Sequence, residues 1–307
     1  MTFGEHVFLY CERGTNPDLV AEPINALSNV AFLLAGLVGL QLALWRPREQ
    51  RPADHVLLPV LVLFIGLGSL SFHLYADQGT ALADVVPIAV FMLVYLGFAL
   101  NRFLLVPPGV TVLLVIGFTA IMALATHVQC SDGAIGFLAT EAQGAKPCLN
   151  GSVFYLPALV AMIVIGLLLH ERGHKAAPWV LLAAAIFAVS VTLRSLDMAL
   201  CNEVVIDGRK VGTHFAWHVL NALALFLLLR ASLESAPVAV ARPVLPPPLD
   251  EASAREKEAP AATAKAEAPL VPEKAEGLAS ASEEAAKEDA AALEAPEGEK
   301  PKAFFPA

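Results

Sequence analysis

This chain has little charge. Only 16% of its 307 residues are Asp, Glu, Lys or Arg, against 57% hydrophobic. A water-soluble fold of this length cannot hide that much apolar surface in a core, so the surplus must face lipid. Basic faces interleaved with aromatics are missing, which excludes nucleic acid as a partner. A basic segment ahead of the first apolar run is missing too: Glu5, Glu12, Asp18 and Glu22 stand there instead, and no short apolar run leads into a small-residue cleavage site. That first run is therefore expected to be a retained helix rather than a removed signal.

What is present is length. A bilayer core takes about 20 apolar residues at about 1.5 Å each, and seven runs suffice. They lie near Ile24 to Trp45, Val56 to Leu74, Leu82 to Phe103, Val110 to His127, Val153 to His170, Trp179 to Leu200 and Gly212 to Arg230. The expected fold is all-α, an integral membrane bundle of seven transmembrane helices over residues 1–235. From Ala236 the composition turns to Ala, Glu, Lys and Pro, rooted in Pro246-Pro247-Pro248. Residues 236–307 carry 14 acidic and 8 basic residues, and so six of the nine net negative charges. Too few apolar groups are left there to offset chain entropy, so a disordered tail is expected, with at most a transient helix over Ser282 to Leu293.

The number of crossings decides which residues can meet. With the N-terminal side named A, His73 ends span two, Asp84 opens span three and His214 opens span seven, all on side A. Cys11, Cys130, Cys148 and Cys201 fall on side A as well, which suits an oxidising compartment. The expected disulfides are Cys130 with Cys148 and Cys11 with Cys201. Arg46, Arg48, Arg51, Arg102, Arg172, Lys175 and Arg230 lie on side B, against Arg13, Lys146, Arg209 and Lys210 on side A. The excess makes side B, and with it the tail, cytoplasmic, and side A periplasmic or lumenal.

His214 and His218 are one helical turn apart and share a face. With His73 they offer zinc three nitrogens and leave a fourth position for water, whose acidity zinc raises. Asp84 is a candidate ligand-orienting group or proton acceptor, unless it caps span three. Ser69, one turn before His73, can donate to a developing oxyanion or bond back to its own helix. Asn221 lies on the stripe of His214 and His218, where an interhelical hydrogen bond explains it equally well, and Arg194 and Asp197 are expected to pair with each other. His170-Glu171-Arg172-Gly173-His174 matches the H-E-x-x-H pattern of zinc proteases. It is read as accidental, because Gly173 and Pro178 break its helix and no third ligand lies on side B.

Ser69-x3-His73, then Asp84, then His214-x3-His218, resembles the signature of the alkaline ceramidases and their wider superfamily of membrane hydrolases. Cys11-Glu12 followed by Ala21-Glu22-Pro23-Ile24-Asn25-Ala26-Leu27-Ser28-Asn29 is similar to the segment ahead of their first helix. The resemblance runs from about Tyr10 to Leu228. It implies zinc held by His73, His214 and His218, Asp84 as base, Ser69 as oxyanion stabiliser, and hydrolysis of the amide of a ceramide-like membrane lipid. It also implies a Cys11–Cys201 disulfide and a calcium site near the N-terminus, for which Glu12 and Glu22 match acidic ligands. Leu9 and Gly14 stand where that family has an acid and an Asn, and the Glu12 to Glu22 spacing is one residue shorter, with Asn16 or Asp18 as the residues that could compensate. Two rival readings remain open: a seven-helix receptor or lipid-binding protein with a structural metal, and an intramembrane protease using His170 and His174.

Overall fold

The computed structural model describes residues 5–131, 134–137 and 146–235. The expectation of a disordered tail over 236–307 lies outside them. Among the described residues seven helical segments are long and apolar enough to cross a membrane. The first combines α1 (Pro23–Ser28) and α2 (Val30–Leu44). The others are α3 (Asp54–Tyr75), α4 (Gln78–Phe98, running into a π turn over Ala99–Phe103), α5 (Pro108–Ala125), α6 (Leu156–Glu171, entered through a 3-10 segment over Cys148–Tyr155), α7 (Ala177–Leu196) and α8 (His214–Ser232). The protein is a multi-pass membrane bundle. Helices are what apolar surroundings demand, since every backbone N–H and C=O away from water must find its partner within the segment.

Local sequence sets the ends. Proline stands in the first turn of α1, α5, α6 and α7, where the missing N–H costs no intrahelical bond. Asp77 caps α4, accepting from the Thr80 N–H at 2.8 Å while the Asp77 N–H donates back to the Thr80 hydroxyl at 3.1 Å. Span three therefore begins at Gln78, ahead of the expected Leu82, and Asp84 sits inside the helix rather than capping it. Span six ends at Leu196, short of the expected Leu200, because Asp197 turns to other partners described below.

α8 is the central helix. It packs against α7, α2 and α3, while α3 packs along α4 and α2. Leu37, Phe64, Val86, Leu113, Val164 and Val189 are exposed on the outer faces, an arrangement suited to lipid and hazardous in water. Loops add small sheets that hydropathy does not announce. Strand β1 (Val128–Ser131) runs antiparallel to β2 (Ala134–Phe137) and β3 (Lys146–Pro147), and β4 (Val205–Ile206) pairs with β5 (Arg209–Lys210). Disulfides join Cys130 to Cys148, beside the first sheet, and Cys11 to Cys201.

One close approach sets the site. A Cβ at Gly68 would collide with the Ala83 carbonyl oxygen and lie 3.4 Å from the Asp84 nitrogen, so only glycine lets α3 and α4 meet beside Ser69 and Asp84. Gly68→Val should drive these helices apart at a cost of about 1–3 kcal/mol, with a lowered melting temperature and reduced turnover. Unchanged melting and turnover would show that the contact does not set the spacing.

Candidate metal centre

The ends of α3 and α8 bring three imidazoles together. His73, His214 and His218 are all buried, and one ligand nitrogen from each lies within 4.8 Å of the others. The parity argument from sequence required this meeting at one end of the bundle.

Hydrogen bonding fixes how two of the rings point. Burial pushes the Glu22 carboxyl up, but hydrogen bonds from His73, Asn25 and Arg13 outweigh that and hold it below the usual carboxylate range. An ionised carboxylate only accepts, so His73 Nδ1–H donates to Glu22 Oε2 at 2.6 Å. Ser28 gives its one hydroxyl proton to the Asn25 carbonyl at 2.7 Å, which leaves Ser28 Oγ to accept from His218 Nδ1–H at 2.6 Å. The two Nε2 atoms face each other at 3.2 Å. On neutral rings both would carry lone pairs, which a single cation can bridge. His214 adds a third donor: its Nδ1 is buried with no hydrogen-bond partner among the described residues. Neutral imidazoles held by second hydrogen bonds are the donor set that metal ions take, and the cluster fits one.

His214 is fixed from two sides. Its ring stacks on Tyr10, centroids 3.5 Å apart at 20°. Asp197 Oδ1 accepts from the backbone N–H groups of Thr213 (2.8 Å) and His214 (2.9 Å), and Oδ2 from that of Cys11 (2.9 Å). Asp197 thus caps α8 and ties it to the N-terminal segment. Gly212, at φ +69°, makes room, since a Cβ there would run into Asp197 and Cys11.

The expected Arg194–Asp197 pair is consequently absent. Arg194 turns the other way, donating to the Asn150 carbonyl (2.6 Å), Ser152 Oγ (3.0 Å) and the Tyr10 hydroxyl (3.3 Å), with its guanidinium over the rings of Tyr155 and Trp217. Helical spacing put Arg194 and Asp197 on one face; the backbone donors at the start of α8 compete better for the carboxylate. Ser69 and Asp84 are both buried where α3 meets α4, and Asn221 is buried on α8 below His218. Tyr10, Ser28 and the Glu22–His73 contact were not foreseen. The signal was available in the polar residues of the segment before α2, which resemblance alone had directed towards calcium.

Glu12 and Glu22, the acidic residues matched to a calcium site, are engaged here by the chain itself. Glu12 Oε1 and Oε2 accept from the backbone N–H groups of Ile24 (2.9 Å) and Asn25 (2.8 Å), capping α1. Both Glu22 oxygens are taken by Arg13, His73 and Asn25. Leu9 and Gly14 offer no side-chain oxygen beside them.

The H-E-x-x-H match fails physically. α6 ends at Glu171, Gly173 adopts φ +61°, and His174 Nδ1 accepts from the Ala176 N–H at 3.0 Å. His170 and His174 do not share a helix face, and they lie at the opposite end of the bundle from His73.

The fold and site define a class: a seven-helix membrane bundle with a buried triad of imidazoles that could hold a metal ion, and with a carboxylate and a hydroxyl where two of its helices meet. The chain belongs to the Ceramidase family, whose model matches residues 10–234. Membership implies a hydrolase acting on an amide bond. No curated protein matches the chain.

If Glu22 orients His73, Glu22→Gln should weaken metal binding about 10–100-fold. Metal retained after dialysis against a chelator is the measurement, and wild-type retention would refute the role.

Proposed function

We propose that this protein is a zinc-dependent amidohydrolase that cleaves ceramide, or a ceramide-like N-acyl lipid, to a sphingoid base and a fatty acid. The observation that carries the zinc assignment is the pair of facing Nε2 atoms. Tetrahedral zinc with bonds of about 2.0–2.1 Å puts neighbouring nitrogens about 3.3 Å apart, and His73 and His218 stand at 3.2 Å. His73, His214 and His218 would hold the ion. When bound, it supplies Lewis acidity that activates water for attack on the amide carbonyl.

The rest belongs to the chain. Asp84, buried on α4 beside Ser69 and His73, accepts the proton released by the attacking water and returns it to the leaving nitrogen. Ser69 donates its hydroxyl hydrogen to the oxygen on which negative charge develops. Water adds across the amide, so an acid and an amine leave.

A lipid substrate is supported by the space beneath the centre. An apolar cavity of about 60 Å³ lies between the helices, lined by Ile65, Phe91, Met162, Phe187 and Leu225 and reached by Asn221. Its walls suit an acyl chain. Both disulfides stand at the imidazole end and the arginine-rich loops at the other, which supports a periplasmic or lumenal centre and a cytoplasmic tail.

His214→Ala in purified protein should lose zinc and reduce amide hydrolysis at least 100-fold, while Glu171→Gln leaves both unchanged. Fatty acid release from a ceramide panel, with metal analysis of the same samples, is the test. Full activity in the His214 variant would end the zinc reading.

A further inference from the structure

Arg13 is buried along its whole side chain, and all of its hydrogen-bonding capacity is used. Nε donates to Glu22 Oε1, Nη1 to the carbonyls of Asn16 (3.2 Å) and Asp18 (2.9 Å), and Nη2 to the carbonyls of His73 (2.8 Å) and Leu74 (3.3 Å). An arginine has five N–H donors, and each meets an oxygen. His73 and Leu74 close α3, where carbonyls lack partners within the helix. One carboxylate and four carbonyls around one positive charge make the oxygen cage that a hard cation takes, and here the cation is part of the chain.

We propose that the Arg13 guanidinium is the resident cation of this cage, that it holds Glu22 against His73 Nδ1, and that the centre therefore works without calcium. A divalent ion would have to displace the guanidinium from Glu22 or stand beside it, and Glu12 is already engaged in capping α1. Arg13 is a positioning residue: it touches the carboxylate that orients His73, and it bonds the His73 carbonyl directly. The step from Glu22 to the metal rests on reading His73 as a ligand. The identity of the cage's cation does not.

The test uses the full chain in detergent micelles, with free zinc held constant and free calcium buffered from nil to millimolar. Melting temperature and ceramide turnover of the wild type should be flat across the range. A rise in either with calcium overturns the proposal, and the melting arm decides this even for a preparation that turns over no ceramide. In the second arm, Arg13→Lys, which keeps the charge but not the fork, should lower zinc affinity or kcat about 10–100-fold with little change in KM. Arg13→Ala should regain part of that loss in dilute guanidinium chloride and none in equimolar potassium chloride. Wild-type zinc content and kcat in both variants would overturn the positioning role. If neither variant folds, the calcium titration of the wild type still decides the cation's identity.

Discussion

The His73 and His218 Nε2 atoms face each other at 3.2 Å in a buried interior, and this end of the bundle is arranged around that contact. Each of the two rings meets a hydrogen-bonding oxygen on its far side. Glu22 supplies one and Ser28 the other. These oxygens come from α1 and the turn before it, not from the long helices that carry the three imidazoles. A short, half-polar helix at the mouth of the bundle is thus the scaffold that orients two of the rings.

That scaffold has to be fastened. Glu12 caps α1, the Cys11–Cys201 disulfide joins the same segment to the loop after α7, and Asp197 bonds the Cys11 N–H together with the first N–H groups of α8. Arg13 then ties the segment to the end of α3. Three of the tethers are ionic or charge-assisted, and they sit where polar groups are costly unless satisfied. Their concentration at one end contrasts with the other, where Arg102 pairs with Asp54 and His55 with the Ser235 hydroxyl at the boundary of the helices.

The spans were legible because lipid imposes one requirement on every residue, a long apolar run, and composition alone registers it. Parity followed, and with it the convergence of His73, His214 and His218. The errors arose where a polar side chain had a choice of partner. Arg194 and Asp197 have the spacing of a helical ion pair, yet Asp197 meets three backbone donors that only tertiary structure brings to it. Glu22 reads as an acidic ligand in isolation; in the structure it also pairs with the arginine nine residues earlier. The H-E-x-x-H match was separable from chemistry because glycine and proline mark a broken helix. The loop sheets carried no such signal.

The Gly68 contact shows how the buried polar groups of this centre come to lie on different helices rather than on one. A single helix can present His214 and His218 one turn apart, but a third nitrogen, a hydroxyl and a carboxylate converging on the same space would need more than one face of it. α3 brings Ser69 and His73 on successive turns, and its close approach to α4 at Gly68 adds Asp84. Such an approach is tolerable only where both backbones are helical and internally bonded, so that bare carbonyls are not left facing each other. The membrane requirement that makes the chain helical therefore also permits the packing that assembles the centre. In a water-soluble helical bundle, hydrated polar side chains on these helices would compete for the same surface. Here lipid leaves the buried groups few partners but one another.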